Sequence, residues 1–462
     1  MALPETFAQF ARTAAEQLRW KKARPLVEDE LLTHLCDQRD TLMAQGMDET
    51  IATAESLRLT GDPYEIGTAL DRVHRPKTPT ALFVLAAVIA LSGLAFTALV
   101  SAGDDGIFLT RQCAALLLGT AAMLAAYFLD FTLLGRFALP PALVFHAALV
   151  PLSLLPVGGF SLFRTYVSTR LLLRGLPLLL PLMFALLLYA LRGWRGWGVF
   201  AAFVCLAVQL RFCAAIPSLT DLCFLFLCDG ALLIFCARSG WFGLGRKLEM
   251  LLSILPLAAC IVAGLTLGAL WFSRQLALVL DPYAQIEGRG YRIAMLRELL
   301  QNARLIGQGG AGTYSGPHLA RYGCDGIASL QDHAMTLLVH RCGWLALIAL
   351  AALLSALLIV AFRRCRRQES MLARLVAYSV LLSFGAQTVA YLLCDLTLIP
   401  LGGGAAFPLF TFGLRTLLVN MTQLGFLLST LRTGSVVRDQ DVFAAQLRPK
   451  HRLRVKFTWE KA

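Results

Sequence analysis

Long apolar runs recur along most of this chain, and they restrict its fold more than any other feature. The runs 80–100 and 248–272 together hold one charged residue, Glu249, and each reaches the ~20 residues that a helix needs to cross ~30 Å of hydrocarbon. Only 15% of the 462 residues are charged, whereas a soluble protein carries roughly 25%. The sequence therefore predicts an all-α, polytopic membrane protein with about ten transmembrane helices between residues 80 and 434.

The positions of the basic residues predict the orientation of these helices. A polar stretch, 273–334, follows the seventh apolar run and precedes the eighth. Short loops that fall on one side of the membrane are rich in basic residues, namely Arg136, Arg192, Arg195, Arg238, Arg246, Lys247, Arg363, Arg364, Arg366 and Arg367. By the positive-inside rule both termini are cytoplasmic, and 273–334 is a large extracellular loop between helices 7 and 8.

Residues 435–462 form a basic cytoplasmic tail. The net charge of the whole chain is +13, but no nucleic-acid-binding motif accompanies it, so we expect no nucleic acid partner. The tail is better suited to the anionic lipids of the membrane surface. The twelve cysteines form no CxxC pair, and no metal-binding motif is predicted.

Residues 1–76 are polar by comparison and predict a small helical cytoplasmic domain. Apolar positions recur with a helical period in 6–24 and in 26–44, and Asp48 is placed to cap a third helix, which ends at the Gly-Asp-Pro sequence 61–63. The pattern EDELLTHLCDQRD, followed by this Gly-Asp-Pro corner, resembles the permease prefix (HAAS-like) domain. That resemblance implies a module that senses or docks a cytoplasmic partner.

The region 382–434 carries a second resemblance. Gln387 precedes Pro400 by thirteen residues, and the sequence PLFTFG spans 408–413. This pattern resembles the C-terminal signature of the SEDS family, the FtsW/RodA/SpoVE proteins of shape, elongation, division and sporulation. The resemblance extends over 80–434 and implies a peptidoglycan glycosyltransferase that polymerises lipid II in cell division, cell shape or sporulation. It also implies a class B penicillin-binding protein as partner, in the plasma membrane of a Gram-positive bacterium.

The resemblance also implies site residues. The glycines of 307–312 match a glycine-rich segment of the family, and Asp332, eleven residues before Gly343, matches the family's catalytic aspartate. A carboxylate there would act as general base toward a sugar hydroxyl. Candidate substrate-binding residues are four arginines of the same loop, which suit a pyrophosphate, and two residues of the C-terminal signature: Arg289, Arg292, Arg297, Arg304, Gln387 and Thr411. A divalent cation, Mg²⁺ or Mn²⁺, could assist the leaving group.

Several alternatives stay open at this point. Ala328, Leu330 and Gln331 stand where the family has Glu, His and Thr around its catalytic aspartate, which favours a scaffold that has lost catalysis. His340 and Arg341 stand where the family has two glutamates. Asp229, in the middle of an apolar run, would suit a transporter of lipid-linked precursors. Asp332 would also serve as the N-cap of the apolar helix that follows it. The four arginines would equally form a solvated face of the loop.

Overall fold

The computed structural model describes residues 5–21, 23–74, 78–101, 106–129, 137–154, 160–162, 165–167, 173, 175–215, 219–285, 290–310, 333–368, 370–399 and 406–433. The chain divides into two compact units, 1–78 and 79–462. The boundary lies two residues beyond the predicted end of the N-terminal domain. The basic tail, 435–462, lies outside the described residues.

The N-terminal unit consists of four helices: α1 (Glu5–Glu16), α2 (Arg24–Ala44), α3 (Glu49–Thr60) and α4 (Pro63–His74). The Asp48 carboxylate accepts a hydrogen bond from the backbone N–H of Thr50, which confirms the predicted cap of α3. The prediction that the first helix reaches residue 24 is wrong. The chain turns after α1, and Arg24 donates hydrogen bonds to the Leu18 and Glu16 carbonyls, which satisfies carbonyls at the end of that helix.

The second unit is built almost entirely of helices. They are α5 (Thr80–Val100), α6 (Ile107–Phe128), α7 (Leu139–Leu152), α8 (Leu176–Ala190), α9 (Arg195–Ala215), α10 (Leu219–Ser239), α11 (Arg246–Leu280), α12 (Gly290–Gln301), α13 (Ala334–Cys342), α14 (Trp344–Cys365), α15 (Met371–Asp395) and α16 (Leu414–Thr433). A 3₁₀ turn, Pro282–Gln285, follows α11. A small antiparallel hairpin pairs β1 (Phe160–Leu162) with β2 (Thr165–Val167), with Phe160 opposite Val167.

Within the described residues, seven helices are long and apolar enough to cross a membrane: α5, α6, α9, α10, the first part of α11, α14 and α15. The apolar helices α7 and α8 are shorter, and α16 carries more polar residues. This architecture confirms the predicted all-α polytopic fold. Each of the predicted apolar runs contains a helix, although the helices differ in length and polarity and the eighth run contains two.

Two predicted boundaries are wrong. The seventh predicted span was expected to end at Phe272, but α11 continues for two further turns to Leu280, so the polar stretch begins at Asp281. The eighth was expected to be continuous, but it breaks at Gly343 into α13 and α14. Gly343 has φ of +97°, a left-handed conformation that an α-helix cannot contain. Hydropathy alone does not report this break, because both sides of it are apolar.

Helices α6 and α16 approach each other closely through small residues. A Cβ on Gly425 of α16 would overlap the backbone carbonyl of Met123 on α6 and would lie 2.7 Å from Cβ of Ala126. On α6, a Cβ on Gly119 would lie 3.1 Å from the Met421 side chain of α16. Small residues let helix backbones pack closely where lipid offers no hydrophobic drive for association. This pair forms part of the frame that holds the segment 406–413.

Candidate functional site

The start of α13 is held by the end of α15. The backbone N–H of Thr336 donates a hydrogen bond of 2.8 Å to Oδ2 of Asp395, and the Thr336 hydroxyl donates one of 2.6 Å to the Asp395 carbonyl. Nδ1 of His333 lies 2.9 Å from Oδ1 of Asp395. Both carboxylate oxygens of Asp395 are therefore bound to the first turn of α13.

Tyr391, one turn earlier on α15, makes a further contact with α13. Its hydroxyl accepts a hydrogen bond of 2.9 Å from the backbone N–H of Ala334, the first residue of α13. We call the contacts of His333, Ala334 and Thr336 with Tyr391 and Asp395 the α13 tether. The tether fixes the chain at the residue that directly follows position 332.

The first turn of α13 receives a carboxylate from another helix. The N-cap residue of α13 is His333, whose side chain makes no capping hydrogen bond to its own helix. A carboxylate oxygen of Asp395 accepts a hydrogen bond from the N–H of Thr336 in that turn. Asp332 lies outside the described residues, so its roles as general base and as N-cap both stay predictions.

The tether contributes to stability because its carboxylate is buried. The Asp395 side chain is 1% exposed, and a buried carboxylate is destabilising unless both of its oxygens are paired. Here the pairing is complete, and the carboxylate also lies at the N-terminus of α13, where the helix dipole favours negative charge. Removal of the carboxylate would leave the N–H of Thr336 without an acceptor in a place that water does not reach.

Tyr391 and Asp395, the tether residues of α15, belong to a longer polar face of that helix. Ser383, Gln387, Tyr391 and Asp395 follow one another at intervals of four residues, which places them on one side of the helix. All four are buried. Gln387 and Asn420 of α16 exchange hydrogen bonds of 3.3 Å between their amide groups. This face of α15 therefore binds α13 at its end and α16 near its middle.

The two predicted substrate-binding residues of the C-terminal signature are both buried. Gln387 also donates a hydrogen bond of 2.9 Å to the Ser383 hydroxyl, so its amide is engaged within the protein. The Thr411 hydroxyl donates to the Phe407 carbonyl at 3.1 Å. The structure places neither side chain on an open surface, and a role for either in substrate binding stays a prediction.

The glycine-rich segment is fastened to the break between α13 and α14. The backbone N–H of Gly307 donates to the Cys342 carbonyl at 3.1 Å, and that of Gly309 donates to the His340 carbonyl at 2.7 Å. The last two residues of the predicted segment, Ala311 and Gly312, lie outside the described residues. The segment that precedes Asp332 in the sequence is therefore anchored to the helix that follows it.

Glycine is required at two positions of this contact. A Cβ on Gly309 would lie 2.6 Å from the Asn302 carbonyl oxygen and 2.9 Å from the His340 ring. A Cβ on Gly343 would lie 2.8 Å from Cα of Ile306. All three distances are shorter than real Cβ contacts, so a side chain at either position would push the two segments apart.

His340 lies against the same segment. Its side chain is 3% exposed, and Nε2 lies 3.1 Å from the Gly310 carbonyl oxygen, to which it donates. Nδ1 is buried and has no hydrogen-bond partner among the described residues. The position that the family resemblance matched to a glutamate is thus a buried imidazole that packs on the glycine-rich segment.

The four predicted arginines are not brought into one cluster by the described residues. Arg289 lies outside them, and Arg292 belongs to α12 but its side chain is not described. Arg297, also in α12, donates a hydrogen bond of 2.6 Å to the Val279 carbonyl at the end of α11. Arg304 is exposed. One of the four is therefore seen to connect two helices of the loop region.

A second polar feature lies within the span α10. Asp229 is 0% exposed, and neither of its carboxylate oxygens has a hydrogen-bond partner among the described residues. Elsewhere in the spans, His146 and Gln209 are buried together, with 2.7 Å between their side-chain nitrogens. In the described part of the chain, no group of three or more His, Cys, Asp and Glu side chains is placed to hold a metal ion.

No family model matches this chain, and no curated protein matches it. Solved structures do. A chain from a peptidoglycan synthase complex, described for its coordination of polymerization and crosslinking, is 21% identical with a TM-score of 0.56 and covers 77% of this chain and 98% of its own length. A variant of the rod shape determining protein RodA from Thermus thermophilus is 20% identical with a TM-score of 0.50 and has the same coverage. Because the identities are low, the likeness concerns the fold, and it agrees with the family resemblance of the sequence. We conclude that this chain is a multi-pass membrane protein with the fold of RodA.

Proposed function

We propose that this protein is a divergent SEDS-type peptidoglycan glycosyltransferase that polymerises lipid II. The observation that carries the proposal is the α13 tether, because it holds the chain rigidly at the residue after Asp332. A catalytic side chain is most effective when the backbone beside it is fixed by buried contacts. The shared fold with RodA and with a chain of a peptidoglycan synthase complex supports the same proposal.

In the proposed reaction a sugar hydroxyl of one lipid-linked disaccharide attacks the anomeric carbon of another. The new glycosidic bond forms as the bond from that carbon to undecaprenyl pyrophosphate breaks, and the pyrophosphate leaves with the electron pair. Asp332 takes the hydroxyl proton, which requires its carboxylate within ~3 Å of the hydroxyl oxygen. Arg289, Arg292 and Arg304 are proposed to face the charge that develops on the pyrophosphate.

The divalent cation, Mg²⁺ or Mn²⁺, stays a prediction. The described residues offer no donor set of the kind that holds Mg²⁺ or Mn²⁺ by itself, so no step is assigned to the metal. The further proposals are that both termini are cytoplasmic, that the membrane is the plasma membrane of a Gram-positive bacterium, and that a class B penicillin-binding protein is the partner.

The proposal is tested by lipid II polymerisation with the full chain in lipid nanodiscs, alone and with a class B penicillin-binding protein. Asp332→Asn should lower the rate by about 10²–10⁴-fold, the range for loss of a general base. The matched control is Asp281→Asn, because Asp281 is an exposed carboxylate in the same polar region. Normal polymerisation by Asp332→Asn would remove Asp332 from the mechanism.

A scaffold without catalysis is the second candidate, and His340 is the observation that favours it. The side chain that replaces a family glutamate is buried and bound to Gly310, so it cannot take over the role of a carboxylate facing substrate. A scaffold would bind the penicillin-binding protein and form no glycan. Absence of polymer from a folded wild-type complex, in an assay where a SEDS polymerase is active, would exclude the polymerase and leave the scaffold and the transporter.

A transporter of lipid-linked precursors is the third candidate, and Asp229 is the observation that favours it. Ionisable residues buried in a span commonly mark transport pathways. This candidate predicts movement of lipid II across vesicles without polymer formation, and a loss of that movement in Asp229→Asn. Polymer formation that depends on Asp332 would exclude it as the main activity.

A further inference from the structure

A groove lies between the end of α14 and the first half of α15. It has a volume of about 480 Å³ and is open along one side. Its walls are apolar side chains, Leu358 and Ile359 of α14 and Leu381 and Leu382 of α15. A narrow apolar slot of this kind, between two packed helices, suits an extended hydrocarbon chain.

One end of the groove is basic. Arg363 and Arg366 line it, and the exposed Arg364 and Arg367 stand beside it in the sequence. Among the described residues no carboxylate forms an ion pair with any of these four arginines. Glu369, the nearest acidic residue in the sequence, lies outside the described residues. The end of the groove therefore offers two guanidinium groups to an anion.

The length of α14 indicates how the groove lies relative to the lipid headgroups and acyl chains. Helix α14 has 22 residues, which gives it a length of about 33 Å, close to the ~30 Å of the hydrocarbon core. Its last turn, with Arg363, consequently lies at the level of the headgroups. Ile359 lies one turn deeper, among the acyl chains. Apolar walls below two arginines match the order of an acyl chain below a phosphate.

We propose that this groove binds one anionic phospholipid. Its phosphate contacts Arg363 and Arg366, and one acyl chain lies along Ile359 and Leu381. Guanidinium groups bind phosphate oxygens in a bidentate manner, and basic pockets between transmembrane helices commonly hold anionic headgroups. The groove lies between α14 and α15, the two helices that are also joined through the α13 tether, so the lipid would brace the same helix pair.

The test is native mass spectrometry of the full chain in detergent, with phosphatidylglycerol or phosphatidylcholine added at equal concentration. We expect one phosphatidylglycerol to be retained in preference to phosphatidylcholine. Arg363→Gln with Arg366→Gln should weaken its retention by about 30-fold, since each of the two charges near an anionic lipid contributes roughly 1 kcal/mol. The matched control, Arg364→Gln with Arg367→Gln, removes the same charge from residues outside the groove and should change retention by less than about twofold.

A second variant tests the apolar part without a change of charge. Ile359 is half exposed in the groove wall, so Ile359→Trp should fill the slot without disturbing the core, and it should also abolish the preference. Equal losses from the two arginine pairs would overturn the proposal in favour of general surface attraction. Equal retention of phosphatidylcholine, or full retention by Ile359→Trp, would overturn it as well.

Discussion

The side chains of His333 and Asp395 lie 62 residues apart in the sequence and meet at 2.9 Å. The contact joins the first residue before α13 to the last residue of α15. Because Asp395 also binds the Thr336 N–H, one carboxylate sets both the position and the start of α13. The residue that follows the proposed catalytic Asp332 therefore takes its place from a helix much later in the chain.

Asp395→Ala should destabilise the protein by roughly 3 kcal/mol, because loss of one partner of a buried, hydrogen-bonded charge leaves the other groups unpaired. Asp395→Asn keeps an acceptor oxygen and should cost less. The measurement is thermal unfolding of the full chain in detergent. Asp281→Ala is the control, since that carboxylate is exposed. Equal effects of the two alanine substitutions would contradict the stabilising role of the tether.

Gly343→Ala should destabilise the break between α13 and α14 by about 1–3 kcal/mol, the cost of a left-handed residue with a side chain. The new Cβ would also meet Ile306 at 2.8 Å. Gly310→Ala is the matched control, because no atom lies within 4 Å of its would-be Cβ and it has no left-handed φ. Limited proteolysis of the 302–310 segment should accelerate in the first variant alone.

Gln387 offers a test that separates packing from substrate binding. Gln387→Leu alone should lower the free energy of unfolding by about 1–3 kcal/mol, because it leaves the buried amide of Asn420 unpaired. In the double variant with Asn420→Leu both amides are gone, and the loss should be smaller than the sum of the two single losses. A stable double variant that polymerises lipid II normally would restrict Gln387 to packing. One that is stable but inactive would support the predicted contact with substrate.

The N-terminal unit should lose part of its stability in acid. The Thr50 hydroxyl and N–H hold the pKa of Asp48 below its ordinary value of 3.8. The charged carboxylate thus stabilises the folded state above that value, and the contribution is lost as pH falls through the lower pKa of the folded protein. Amide protection of α3 should begin to fall as the pH drops below about 4, and it should fall further as the pH passes through the lower pKa of the folded protein. Asp48→Asn, a neutral cap, should show little of this fall.

Much of the fold could be predicted from the sequence, because apolar length is a property of each segment alone. The apolar run 80–100 predicts the helix Thr80–Val100 with both ends correct, and a local sequence pattern predicts the cap at Asp48. The break at Gly343 was missed, because its cause is the approach of Leu305 and Ile306 from a distant segment. A hydropathy profile holds no information about such an approach.

The candidate site was predicted less well, for the same reason. The family pattern indicates Gln387, whereas Asp395 has no part in that pattern. The spacing of four residues from Gln387 through Tyr391 to Asp395 was a signal that could have identified the polar face of α15. The partners of that face, His333 and Thr336, could not be identified without the tertiary structure.

The attachments around α13 also bear on how this sequence can vary. Gly310 is bound to His340 near the end of α13, and His333 stands at its start, a separation of about 10 Å along the helix. The segment 311–332 must therefore leave from and return to a single short helix, whatever its internal path. The free-energy cost of closing a loop between fixed ends rises by only ~0.6 kcal/mol for each doubling of the loop's length. Changes in the length of that segment are therefore expected to alter the closure cost of the loop only slightly, so its length can vary between the same two fixed ends.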